Sequence, residues 1–160
     1  MELDQIFLNL CKALNRNQVK YIVVGGFAVI IHGFPRTTLD IDLVVDVNQS
    51  NIKRLKNALI EVFQDELVKE ISLEDINRYA VIRYGTPEGF YIDIIGRIGE
   101  IADYKSLSKD IEFYEFLGVR IPVCGLKSLI KIKETVRPKN KIDIEFLKEK
   151  LRKITESKKN

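Results

Sequence analysis

Three aspartates carry the chemistry that this chain could do. Asp40 and Asp42 stand two apart in Leu39-Asp40-Ile41-Asp42-Leu43-Val44-Val45, an apolar and partly β-branched run. Residues two apart on a strand share a face, so both carboxylates project together while Leu39, Ile41 and Leu43 turn to the core. Two charges held about 6–7 Å apart by strand geometry repel by roughly 2–3 kcal/mol at an effective dielectric near 20. A divalent cation removes that repulsion, and Mg²⁺ prefers hard carboxylate oxygens while keeping positions for water and phosphate. Asp93 is the third acid, alone in Tyr91-Ile92-Asp93-Ile94-Ile95. A charge at a strand centre is costly unless it is paired or metal-bound. If its strand lies beside that of Asp40 and Asp42, three carboxylates converge. Glu88 and Asp103 sit in loop contexts and rank below it.

Gly25-Gly26 close an apolar run and open a second one. Glycine lets backbone approach a ligand closely, and amides at a helix start favour phosphate. Taken singly, a Gly-Gly pair is more often a tight turn, and an Asp-x-Asp pair a solvated strand end. Jointly with Asp93 they suit two-metal phosphoryl transfer, with an activated hydroxyl attacking and pyrophosphate leaving. The glycines form neither a Walker A loop nor a dinucleotide-binding turn. A metal nuclease would want Glu-x-Lys shortly after the aspartate, and Ile94-Ile95-Gly96-Arg97 does not supply it.

The elements that must position these groups follow from periodicity. Residues 3–16 have helical spacing, 21–24 a short buried strand, and 27–32 a short helix broken by Gly33, Phe34 and Pro35. Asn48 or Ser50 caps a helix reaching Phe63. Residues 68–71 are ambiguous. Residues 80–84 and 90–95 form a hairpin across Gly85 to Gly89, and 112–116 with 119–123 a second about Gly118. Residues 126–134 and 142–154 are helices, with 156–160 frayed beyond them. The expected fold is α+β, a mixed sheet flanked by helices. All 160 residues are expected to form one domain, with a core over about 19–123 and a helical part over about 125–155.

Composition excludes several classes. With 26 basic and 23 acidic residues, the net charge of +3 suits an anionic substrate without marking a nucleic-acid binder. No apolar run approaches the roughly 18 residues that span a bilayer, and the first ten residues lack the basic start of a signal peptide. Two cysteines and one histidine are too few for a disulfide framework or a zinc site. A soluble, cytoplasmic protein is expected, with no membrane partner.

The run from Gly25-Gly26 through Phe27 to Leu39, then Asp40-Ile41-Asp42, resembles the signature of the DNA polymerase β-like nucleotidyltransferase superfamily. The lead-in Arg36-Thr37-Thr38-Leu39-Asp40 is similar to that of small prokaryotic nucleotidyltransferase proteins, including those related to abortive-infection and toxin–antitoxin systems. Leu126 to Lys133, and Arg137-Pro138-Lys139 to Asp143-Ile144-Glu145, resemble their C-terminal helices. The resemblance implies that Gly25 and Gly26 hold nucleotide phosphate. It implies that Asp40, Asp42 and Asp93 bind a two-ion Mg²⁺ site, in which Mn²⁺ could substitute, with Asp93 also taking the acceptor's proton. Lys133 and Arg137 are the cations whose positions match. The implied reaction moves a nucleoside monophosphate from an NTP to a hydroxyl of RNA, protein or a small molecule. A nucleotide-binding regulatory module, half of a toxin–antitoxin pair with a partner protein, is the competing class. This chain departs from the pattern at Gly26, where polymerase-type members have serine, and at Asn140, where related proteins often have aspartate.

Other residues admit two readings each. Arg36 could clamp a triphosphate or be a solvated loop cation. Thr38 could bond phosphate or simply begin the strand. His32 reads as a packed or capping residue rather than a general base. The basic run Lys127, Lys131, Lys133, Arg137, Lys139 and Lys141 reads first as a solvated face and second as one wall of a nucleotide site. Tyr79, Tyr84, Phe90 and Tyr91 read as core packing.

Overall fold

The computed structural model describes residues 2–136 and 141–159. The chain begins with α1 (Leu3–Arg16), whose apolar stripe buries Ile6, Phe7, Leu10, Cys11 and Leu14. The wholly buried β1 (Tyr21–Val24) runs without a loop into α2 (Gly25–Ile31). Next come β2 (Asp40–Val45) and α3 (Gln49–Phe63), the latter capped by Asn48, whose side chain accepts from the Asn51 amide. A 3₁₀ turn (Glu66–Glu70) and α4 (Leu73–Tyr79) lead to the hairpin of β3 (Val81–Gly85) and β4 (Tyr91–Ile95). A small ribbon, β5 (Arg97–Ile98) with β6 (Ala102–Asp103), precedes the single turn α5 (Tyr104–Leu107). A second hairpin, β7 (Ile111–Phe116) and β8 (Val119–Cys124), feeds α6 (Leu126–Val136) and α7 (Lys141–Lys159).

Six strands form one mixed sheet in the order β3-β4-β2-β1-β8-β7. The central pair β2 and β4 is parallel, which demands a crossover, and α3 with α4 supplies it. Ile22, Val23, Ile41, Leu43, Val44, Ile92, Ile94, Ile121 and Val123 are fully buried, so the middle of the sheet is covered on both sides. That is why its strands read as continuous apolar runs rather than alternating ones. Asn51 holds the sheet's frame from within the core. Its amide donates to the carbonyls of Lys20 and Asp46 and its oxygen accepts from the Lys20 amide, tying the start of β1 to the end of β2.

The α+β class stands, and several details differ from the sequence reading. Leu39 does not face the core: it is 76% exposed, because the ladder begins only at Asp40, opposite Tyr91. The helix after β1 takes in both glycines rather than starting at Phe27. The ambiguous stretch is the 3₁₀ turn, and α4 follows it unanticipated, started by Ser72 accepting from the Asp75 amide. The ribbon β5–β6 was also unanticipated. Residues 156–159 are helical rather than frayed, continued by the Arg152–Glu156 pair one turn apart. Tyr84 and Phe90 pack edge-on against Phe63, whereas Tyr79 and Tyr91 are exposed and each lies beneath an arginine. Among the described residues no helix is long and apolar enough to cross a membrane.

Candidate active site

The parallel ladder sets Asp42 directly beside Asp93, and Asp40 beside Tyr91. Neighbours in register point the same way, and residues two apart do also, so Asp40, Asp42 and Asp93 share one face of the sheet. Asp42 and Asp93 are buried, while the Asp40 side chain is about a third exposed at 38%. Gly25 lies against this cluster with φ +70°: a Cβ there would stand 1.9 Å from Asp42 Oδ2. Only glycine leaves the Asp42 carboxylate its place at that bend. A Cβ on Gly26 would meet Thr38 Oγ1 at 2.7 Å. Thr38 itself donates to the Asp40 carbonyl at 3.3 Å, starting the strand.

Arg83, on β3 opposite Asp93, joins the acids. Its Nε donates to Asp93 Oδ1 at 2.9 Å, and its Nη2 to Asp93 Oδ2 at 3.1 Å and Asp40 Oδ2 at 3.3 Å. The last two contacts, made by one nitrogen, put those oxygens of Asp40 and Asp93 within about 6.4 Å of each other. The Asp93 hydrogen bonds, then its charge, raise the Arg83 pKa above the ordinary arginine value. Among the described residues, no three His, Cys, Asp or Glu side chains are drawn close enough to form a ready-made metal cage. The donor set nonetheless fits a hard cation: three carboxylates on one face, two of them shielded from water.

A cavity of about 370 Å³ opens beside the acids. Gly25, Asp42 and Asp93 line one side, with Lys133, Arg97 and Ile132 also on its wall. A larger cleft of about 680 Å³ lies between α3 and the 69–77 segment, with none of the three aspartates on its wall. The chemistry, not the volume, makes the smaller cavity the candidate site.

The remaining expected site residues fall into a second group. Lys133 is buried on α6 and its Nζ lies 3.2 Å from Asp143 Oδ2 on α7. Arg36, in the loop before β2, donates to the same Asp143 oxygen. One buried carboxylate thus holds both cations, and Lys133 also reaches the wall of the cavity. Lys127 and Lys131 are exposed, so the basic run is not one face. Arg137 lies outside the described residues. His32 is packed: its Nε2 donates to the Cys124 carbonyl at 2.9 Å, and its Nδ1 meets the Tyr114 hydroxyl at 3.2 Å. Asp103 is spent as the cap of α5, accepting from the Ser106 amide.

Sequence reasoning missed Arg83, Arg97 and Asp143 as members of the site. Arg83 could have been found, because a hairpin closed by 86–90 fixes which residue of β3 faces Asp93. Asp143 carried a weaker signal, a lone acid closely following a basic run.

A family model described as "Nucleotidyltransferase of unknown function (DUF6036)" matches residues 1–84, just over half of the chain. The chain belongs to this nucleotidyltransferase family. The match takes in Gly25, Gly26, Asp40, Asp42 and Arg83, and stops before Asp93. Among solved structures, a provisionally assigned nucleotidyltransferase from Thermotoga maritima is similar over 93% of this chain and 92% of that one, at 19% identity and a TM-score of 0.56. At that identity the likeness establishes a shared fold. No curated protein matches.

Proposed function

We propose that this nucleotidyltransferase is metal-dependent, transferring a nucleoside monophosphate from an NTP to a hydroxyl with release of pyrophosphate. The observation that carries the reading is the register of β2 and β4, which sets Asp42 beside Asp93 and brings Asp40 onto the same face. Asp40, Asp42 and Asp93 would hold Mg²⁺, or Mn²⁺ in its place; the bound ions supply charge neutralisation for the triphosphate and acidify the attacking hydroxyl. Gly25 brings backbone, without a side chain, to the wall of the cavity that would take the phosphates, and Gly26 follows it, packed against Thr38. Lys133 faces the same cavity and Arg36 is fixed through Asp143, so both cations are preorganised for anionic groups. Arg137 belongs to this nucleotide-binding set by resemblance. In the transfer, the acceptor oxygen bonds to the α-phosphorus, the bond to pyrophosphate breaks, and the acceptor's proton goes to an Asp93 oxygen. The acceptor is an RNA, a protein or a small molecule. Residues 19–123 form the working core, and the helices over 125–155 add Lys133 to its cavity within one domain.

A second reading, a nucleotide-binding toxin–antitoxin module without turnover, draws on a different observation. The β7–β8 hairpin exposes Phe113, Phe116 and Leu117 at one end of the sheet, a surface suited to a partner protein. The buried free thiols Cys11 and Cys124 accord with a reducing, cytoplasmic setting. Labelled NTPs with Mg²⁺ and candidate acceptors separate the readings. Pyrophosphate release that needs metal and disappears in Asp42→Asn supports transfer. Metal-dependent NTP binding without release supports the module. If no NTP binds or is consumed, and Asp40→Ala leaves metal binding unchanged, the proposal is wrong.

A further inference from the structure

The acids of the site already share a cation that belongs to the chain. Arg83 engages both oxygens of Asp93 and one of Asp40. The sheet register sets these groups on one face, within reach of one another. Arg83 faces Asp93 across β3 and β4, while Asp40 faces Tyr91 across β2 and β4, so the four side chains stand in one patch. The Arg83 Cζ lies 4.7 Å from the Tyr91 ring centroid, a cation–π seat that holds the side chain along the strand. A guanidinium and a divalent ion compete for the same carboxylate oxygens, and their charges repel at the distances both would need. Asp93 is buried, and with both its oxygens engaged it has a partner without any metal. The Arg83 side chain is 52% exposed, so its charged end can leave for solvent, and an incoming ion takes over the pairing of the buried Asp93 carboxylate.

We propose that Arg83 is a displaceable occupant of the cation subsite between Asp40 and Asp93. A divalent ion enters as the guanidinium releases Asp40 and turns off Asp93, the side chain staying against Tyr91. Arg83 is therefore a positioning residue: it keeps the acids paired and aligned when metal is absent, and it sets the metal concentration at which the site fills. This rests on the metal-site reading of Asp40, Asp42 and Asp93.

The test titrates Mn²⁺ into the full chain, reading free Mn²⁺ by electron paramagnetic resonance and thermal unfolding in parallel. Wild type, Arg83→Ala and Arg83→Lys are compared. Arg83→Ala is expected to bind Mn²⁺ about three- to tenfold more tightly, to melt lower without metal, and to gain more from metal than wild type does. Arg83→Lys keeps the charge but loses the two-pronged contact, and falls between the two. The proposal is overturned if Arg83→Ala binds Mn²⁺ no better than wild type. It is equally overturned if Arg83→Lys matches wild type while Arg83→Ala tightens, since net charge alone would then explain the gain. Absence of Mn²⁺ binding in all three proteins would instead remove the metal-site reading beneath it.

Discussion

Replacing Gly25 by alanine tests the geometry of the site without touching any charged group. Two costs follow from the structure. The residue sits at φ +70°, and a side chain in left-handed backbone costs about 1–2 kcal/mol. The new Cβ would stand 1.9 Å from Asp42 Oδ2 and 3.0 Å from Asp42 Cβ, so the aspartate must move bodily, at about 1–3 kcal/mol for overpacking. The loss of about 2–5 kcal/mol is large against a total stability of roughly 5–15 kcal/mol. It corresponds to a fall of about 5–20 °C in Tm for a domain of this size. Urea unfolding at constant m-value measures it. Gly89→Ala is the control, because Gly89 also has positive φ, +91°, but nothing lies within 4 Å of its Cβ position. It should pay the backbone cost alone, about 1–2 kcal/mol. Placed on top of Asp42→Ala, Gly25→Ala should cost about 1–2 kcal/mol less than it does alone, since the clashing carboxylate is gone while the contact with the residue-42 Cβ stays. The reasoning is refuted if Gly25→Ala and Gly89→Ala are equally mild, or if the double variant is simply additive.

Three further outcomes follow. Asp143→Ala removes a counterion that Lys133 and Arg36 share, and breaking a buried pair of this kind should cost about 3–5 kcal/mol in urea unfolding; Asp143→Asn, keeping one oxygen acceptor, should recover part of that. Burial, only partly offset by the bond to the Cys124 carbonyl and by Glu112, holds the His32 pKa below its ordinary value of 6.5. The unfolded chain then takes up a proton near pH 6.5 that the folded chain refuses, so the His32 contribution is complete above that pH and declines as pH falls beneath it. Urea midpoints from pH 8 to 5 should show the decline in wild type and a flatter profile in His32→Gln. Cys11 and Cys124 are buried, and burial pushes both thiols up to about 12. Neither should react with a thiol reagent at pH 8 until the chain unfolds, and rapid labelling of the native protein would contradict their packing.

The parts of the fold legible in the sequence were those set by local patterning. The strands around Ile22, Ile41 and Ile92 announced themselves because a sheet covered on both faces needs unbroken apolar runs. The turn at Gly118 was legible because glycine takes the positive φ a two-residue hairpin needs, 80° here; Leu117 before it, at 50°, gave no such sign. Leu39 misled because alternation says which residues share a face but not where the ladder starts. The helix α4 was hidden by its length of 7 residues, two turns held by a Ser72 cap rather than by a long periodic stripe. Within the site, the aspartates could be paired from their apolar settings. Arg83 was readable only by following the register of its hairpin across to Asp93, and Asp143 was barely readable, because its role rests on contacts as far as 107 residues apart in sequence, as between Arg36 and Asp143.

The most direct measurement is a crystal of the full chain soaked with Mn²⁺ and a non-hydrolysable NTP. Anomalous scattering should place manganese among the oxygens of Asp40, Asp42 and Asp93, with the triphosphate running past Gly25 and Gly26 into the cavity beside Lys133. Metal and nucleotide lodged instead in the cleft along α3, with Arg83 still holding Asp40 and Asp93, would contradict the account.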